Sequence, residues 1–319
     1  LNCNIDGLLP VHKPEGMVSK DVSRWLLKRA GKLRLGHVGT LDPSAGGVLP
    51  LLLGRATKLQ DWLLELPKTY EFELTFGSET DTLDRDGKVV RERPWEHVTE
   101  ASLREAASSF LGEIEQVPPA YSAVKFKGKP LYEYARKDRL DDLPPLEQLK
   151  RRVRIDHFEL LGYEGKVGRF RVNCSKGTYV RSLVKDVAEK VDSCGTLTRL
   201  VRTEAAGVKL AQAYGLEAIE ERIQDLSSMV VPLTEIDLGL MRWQSQRRPD
   251  SQKLRNGQTL LLDAAEFLAG LSAREGVDMS LGAWDKPLLL VGDTGVGLGV
   301  GAVRRQETGR VVISMKRGL

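Results

Sequence analysis

Cysteine is scarce in this chain: of 319 residues only Cys3, Cys174 and Cys194 are cysteine, far apart and without a CxxC pair. That excludes a disulfide framework and points to a reducing, cytoplasmic setting. Histidine is as sparse. His12, His37, His97 and His157 offer no HExxH or mixed Cys/His spacing, so no metal site is expected. Long hydrophobic runs are missing too: none approaches the roughly 18 to 20 residues that span a bilayer, and the N-terminus lacks the basic-then-apolar order of a signal segment. No membrane partner is expected, and an opening Leu1 in place of Met is compatible with trimming. No repeat with a period of roughly 20 to 50 residues is evident, which excludes solenoids and propellers.

What is present is the composition of a folded, soluble protein, with 41% hydrophobic and 29% charged residues and a mean hydropathy of -0.27. The length suits two domains or one large one. Charge is unevenly placed. Residues 1–60 carry 9 basic and 4 acidic side chains and residues 240–319 carry 12 and 8, so at a net charge of +4 the middle is acidic. Basic ends permit a polyanionic partner, because Lys and Arg gain free energy by releasing counterions condensed on phosphates. Ordinary solvated faces explain the same charge.

Along the chain, Leu8 to Val11 reads as a strand, and Ser19 as the N-cap of a helix with Val22, Trp25 and Leu26 on one face, stopped by Gly31. Residues 36–47, GHVGTLDPSAGG, form a loop with special backbone angles ahead of the apolar run Val48 to Leu53. The alternation of TYEFELTF puts Tyr70, Phe72, Leu74 and Phe76 on one strand face and Glu71, Glu73 and Thr75 on the other. Thr99 caps a helix carrying Leu103, Ala106, Ala107, Phe110 and Leu111, ended by Gly112. Residues 117–150, with Pro118, Pro119, three tyrosines, lysines and the acidic stretch DRLDDLPP, read as an exposed arm and loop. A strand from Gly168 to Cys174 leads through a turn into a helix with Val180, Leu183, Val184, Val187, Ala188 and Val191 inward. Beyond about residue 235, a short helix near 263–272 and β-type runs suggest a small second domain.

Three side chains stand out. Asp42, fixed ahead of Pro43 in the glycine-rich loop, is either a plain Asp-Pro turn or a carboxylate aimed by a rigid loop. Arg181 falls in the first turn of its helix, where the macrodipole disfavours a cation: it is either an ordinary exposed arginine, the reading that residue type alone favours, or one compensated by a buried carboxylate such as Asp42. Tyr70 is on an apolar face and reads as core, or as a flat ring on which a heterocycle stacks. The run GLGVGA at 297–302 matches a dinucleotide fingerprint, but too little chain follows for a βαβ unit, and no nucleotide cofactor is expected. The cluster Lys150, Arg151, Arg152, Arg154 is a solvated face or a track for a phosphate backbone.

The strings HKPEGMVSKDV (12–22), GHVGTLDPSAGGVL (36–49), GRATK (54–58), KTYEFELTFGSETDTLDRDG (68–87), PPAYSAVKFKGKPLYEYAR (118–136), CSKGTYVRSLVKDV (174–187) and LTRLVRT (197–203) occur in this order over most of residues 8–210. Together they resemble the TruB-type tRNA pseudouridine synthases. The resemblance implies an α+β fold, with a mixed, largely antiparallel sheet and flanking helices in a catalytic domain over residues 1–235 and a small C-terminal β-rich, PUA-like RNA-binding domain over 236–319. Residues 117–154 would form an RNA-binding arm. It implies isomerisation of the uridine at position 55, in the tRNA T loop, to pseudouridine, on a flipped-out base, without cofactor, metal or protein partner. Asp42 matches the catalytic aspartate, Tyr70 the tyrosine packed on the target base, and Arg181 the arginine paired with the aspartate. His37 matches a loop histidine that holds the RNA, and Lys13, Lys58 and Leu200 match further substrate-side positions; the role of Asp84 stays open. The alternatives are a guide-RNA-dependent rRNA synthase and a tRNA-folding chaperone with vestigial chemistry. The chain departs from the pattern in SAGGVL, where many relatives carry a Thr before the second glycine, in the long acidic 137–154 connection, and over 259–287.

Overall fold

The computed structural model describes residues 5–137, 142–233, 235–272, 287–294, 297–306 and 310–318. From the N-terminus run β1 (Gly7–Lys13), α1 (Ser19–Ala30), β2 (Leu35–His37), β3 (Gly46–Leu53), α2 (Gln60–Glu65), β4 (Lys68–Phe76), β5 (Ser78–Thr80), β6 (Val89–Glu92), α3 (Glu100–Ser109) and β7 (Gly112–Gln116). Next come β8 (Lys125–Phe126), β9 (Lys129–Pro130), α4 (Leu131–Ala135), β10 (Arg151–Glu164), β11 (Val167–Cys174), α5 (Val180–Lys190), β12 (Gly195–Ala205), β13 (Val208–Lys209), α6 (Leu216–Glu221) and β14 (Val231–Pro232). The last group is β15 (Met241–Gln244), α7 (Arg248–Arg255), β16 (Leu260–Leu262), α8 (Ala264–Ala269), β17 (Leu271–Ser272), β18 (Pro287–Val291), β19 (Gly297–Arg305) and β20 (Val311–Gly318).

A large sheet runs in the order β14, β1, β3, β12, β4, β11, β10, β7, antiparallel except where β12 meets β3. The strand alternation read from TYEFELTF holds: Phe72, Leu74 and Phe76 are buried, with Phe72 stacked on Phe170 of β11 at 5.3 Å between ring centroids. Onto this face pack Leu103, Ala106 and Ala107 of α3 and Leu183, Val184, Val187 and Ala188 of α5. The opposite face carries exposed ion pairs, Arg171 with Glu71 and Glu159 and Arg199 with Glu73. Such pairs contribute little each but keep that face wet. All eight residues of β3 are buried, and its side chains alternate between two cores: Val48 and Leu52 on one, Leu49, Leu51 and Leu53 on the other.

Several boundaries differ from the sequence reading. Val18, not Ser19, is the N-cap of α1; Ser19 is its first residue, and its hydroxyl is committed to Leu41 of the glycine-rich segment. Thr99 does cap α3, through a reciprocal pair with Ser102, but the helix closes at Ser109 and leaves Leu111 exposed. The 117–150 arm is anchored by its own small core of Val124, Leu131 and Leu143. Asp138, Arg139, Leu140 and Asp141 of its acidic stretch lie outside the described residues. Arg151 to Arg154, grouped with that arm by sequence, instead open β10 and pair with β7.

The second sheet has the order β16, β20, β19, β18, β15, β17, and GLGVGA lies within β19. Leu289, Val291 and Val300 of this sheet join the core around Leu8, Leu52 and Leu63. Among the described residues no helix is long and apolar enough to cross a membrane.

Candidate active site

A cleft of about 500 Å³ opens where the segment between β2 and β3, the start of β4, the loop 82–86 and the turn before α5 converge. Asp42, Tyr70 and Arg181 all line it. The segment bearing Asp42 is pinned on both sides of that residue. The Leu41 N–H donates to the Ser19 hydroxyl at 2.9 Å, and the Pro43 carbonyl accepts the Gly16 N–H at 2.7 Å. Behind it Lys13 is fully buried at the end of β1, its Nζ donating to the carbonyls of Pro14, Met17 and Pro43 at 2.9, 2.6 and 3.3 Å. Burial lowers the Lys13 pKa to about 8, and nearby Asp42 opposes that shift.

Arg181, in the first turn of α5, has a side chain only 6% exposed and puts Nε 2.9 Å from Oδ2 of Asp42. Its Nη1 donates to the Thr82 carbonyl at 3.1 Å and its Nη2 to the Tyr121 carbonyl at 2.9 Å. Every edge of the fork is therefore engaged, which fixes the guanidinium and, through it, the carboxylate. Asp42 keeps 40% of its side chain exposed, so it is held yet open to the cleft. Asp84, whose role the sequence left open, accepts the Thr82 hydroxyl and the Asp86 N–H and lies 3.8 Å from Arg181 Nη1. It organises the loop that carries the Thr82 carbonyl.

Tyr70 is half-buried at the start of β4, in register with Arg202 of β12. Burial raises its pKa, and the nearby Arg202 charge opposes the shift. At neutral pH the group is a phenol. His37 lies on β2 with Nε2 3.4 Å from the hydroxyl of the cleft residue Thr40, and burial, then Arg202, lowers its pKa.

The remaining sequence candidates are placed elsewhere. Lys13 supports the Asp42 segment from behind. Lys58 donates from Nζ to the Gly318 carbonyl at 2.9 Å, at the contact with the second sheet. Leu200 is buried in the core opposite Phe72. Sequence reasoning missed Lys68, Tyr121, Tyr179 and Arg202, all of which line the cleft. Lys68 is buried, its Nζ donating to the Leu64 and Leu66 carbonyls, and burial followed by the Arg202 charge lowers its pKa to about 8. A signal for Arg202 existed: it shares the inward parity of Leu200 in LTRLVRT, a cation where the pattern asks for an apolar residue.

The family model for the TruB family pseudouridylate synthase N-terminal domain matches residues 24–180. A protein of Caldanaerobacter subterraneus named tRNA pseudouridine synthase B is 43% identical over 80% of this chain and 86% of its own length. One of the same name from Bordetella pertussis is 41% identical over 74% of this chain and 96% of its own. Among solved structures, an H/ACA RNP bound to a substrate RNA containing 2'-deoxyuridine aligns with a TM-score of 0.72 at 18% identity, covering 99% of this chain and 85% of that one. A Cbf5-Nop10-Gar1 complex aligns with a TM-score of 0.72 at 20% identity, covering 98% and 85%. These two likenesses concern the fold. With the relatives' identity spanning most of both chains, and the cleft formed largely by the segments that match, the chain belongs to the TruB family of pseudouridylate synthases.

Proposed function

We propose that this chain converts the T-loop uridine at tRNA position 55 to pseudouridine, with Asp42 as the nucleophile and Tyr70 as the ring against which the flipped-out base packs. The observation that carries this reading is the Asp42 carboxylate, held at 2.9 Å by an Arg181 that is itself almost fully buried, at the wall of an open cleft. Isomerisation breaks the bond between sugar C1′ and base N1 and forms one between C1′ and C5. N1 gains a proton and C5 loses one. A carboxylate aimed at the flipped nucleotide supplies the covalent step, either at the sugar or at the base, and the protein has only to orient it. Extruding a base from a folded loop costs a few kcal/mol, which stacking on an aromatic ring offsets. The raised pKa of Tyr70 disfavours a tyrosinate as the acceptor of the C5 proton. This leaves a carboxylate or water for that task.

The substrate class follows from relatives named tRNA pseudouridine synthase B at 41 to 43% identity, whereas the RNP structures at 18 to 20% identity speak for the fold alone. The arm formed by residues 117–150, the second sheet and a pI near 8.9 suit a T arm as polyanionic partner, and the reading needs no cofactor, metal or protein partner. The test is release of tritium from C5 of uridine in an unmodified tRNA transcript under single-turnover conditions. Wild type releases it at one T-loop position, and Asp42→Asn releases none while binding tRNA with unchanged affinity. Loss of binding in step with activity, or release by the variant, overturns the nucleophile assignment.

A further inference from the structure

Arg202 is 1% exposed, among the largest fully buried side chains, yet the acceptors around it are main-chain carbonyls. Its Nε donates to the Val48 carbonyl at 2.7 Å, and its Nη2 to the Gly39 carbonyl at 2.9 Å and the Val38 carbonyl at 3.5 Å. These carbonyls bracket residues 40–47, the stretch that carries Asp42. The guanidinium therefore closes the base of that segment from both ends. Tyr70 is the register partner of Arg202 on the adjacent strand, and both residues line the cleft. Burying a cation among neutral dipoles is costly, and an apolar residue of similar volume would serve packing better. A planar fork holding both ends of the segment that carries Asp42 offers a reason for its presence.

We propose that Arg202 is a positioning residue for the reaction, clasping both ends of the Asp42 segment onto one guanidinium beside Tyr70, so that nucleophile and stacking ring keep a fixed separation. This rests on the assignment of Asp42 and Tyr70 above. The neighbouring glycines fit the same device. A methyl group at Gly39 would lie 3.1 Å from Arg202 Nη1, so the close approach of the fork needs a residue without Cβ there. The clasp acts through geometry, since the acceptors of the fork are main-chain carbonyls at the two ends of the Asp42 segment.

The test is a double-mutant cycle between positions 39 and 202, read by single-turnover tritium release, with tRNA affinity and thermal midpoint measured on each protein. Arg202→Met is expected to lower the rate by about 100-fold, the scale of a small misplacement of reacting groups, with tRNA affinity within about threefold of wild type. Arg202→Lys, which keeps charge but not the fork, retains more activity than Arg202→Met and carries the test if the methionine variant does not fold. In a Gly39→Ala background the cost of either substitution shrinks by at least about fivefold, because the added methyl group already displaces one arm of the fork. Equal costs in the two backgrounds, or wild-type turnover by Arg202→Met, overturn the clasp. Undiminished release by Asp42→Asn would instead overturn the underlying assignment, so the two failures are told apart.

Discussion

Gly47 and Arg202 face each other across the parallel pairing of β3 and β12 so closely that a Cβ on Gly47 would sit 2.2 Å from the Arg202 carbonyl oxygen. Gly47 also has φ +108, a conformation that side chains rarely adopt. Two independent constraints thus fall on one residue at the end of the Asp42 segment. Gly47→Ala is expected to lower the thermal midpoint by several degrees, combining about 1 to 3 kcal/mol of backbone strain with a clash that only movement of β3 can relieve. It should also slow turnover, since β3 carries the exit of the segment. Gly165, with φ +56 and open space around its Cβ position, is the control. Gly165→Ala should pay the backbone cost alone and keep full activity. Equal effects at the two sites would show that the contact with Arg202 does not matter.

Arg181 holds Asp42 with one edge of its fork and two main-chain carbonyls with the others. Arg181→Met removes all three contacts, and single-turnover release should fall by at least about 100-fold while tRNA affinity changes little. Arg181→Lys is the sharper probe. An ammonium keeps the charge but cannot span Asp42, Thr82 and Tyr121 together, so if orientation is what matters it rescues less than half of the lost rate on a logarithmic scale. Full rescue by lysine would assign the role to charge alone.

How much of this could be read from the chain divides along the distance over which each signal acts. The β4 alternation, α3 with its Thr99 cap, and the inward face of α5 were legible because their periodicities are local. The pairing of Asp42 with Arg181 was legible through the resemblance of the strings around both residues; a cation at a helix start suggests a carboxylate partner but by itself leaves an exposed arginine the better reading. The role of Arg202 was not legible: its parity with Leu200 marks it as inward, but its carbonyl acceptors lie 154 to 164 residues away. α7 escaped notice for a different reason. Its sequence RPDSQKLR has a single apolar side chain, Leu254, so no periodicity announces it. Ser19 and Lys58 show the limit of residue type as evidence: a serine suited to capping is spent on Leu41, and a lysine suited to RNA is spent on Gly318.

Lys13 makes the stability of the fold depend on pH in a defined window. Its pKa is about 8 in the folded chain against an ordinary value of 10.5. Below about pH 8 it is charged in both states, and the cost of burying that charge is carried in full. Between about 8 and 10.5 the unfolded chain holds a proton that the folded chain has released, so the unfolded state binds more protons and stability rises with pH. Above 10.5 both states are neutral and the contribution is flat. Urea unfolding of wild type and Lys13→Met from neutral pH into this window isolates the effect, because Lys68, with a similar pKa, contributes equally to both proteins. Wild type should gain stability relative to the variant as pH rises through the window, and the difference should level off beyond it. Parallel profiles would mean that the ammonium, despite its burial behind Asp42, keeps its ordinary affinity for the proton.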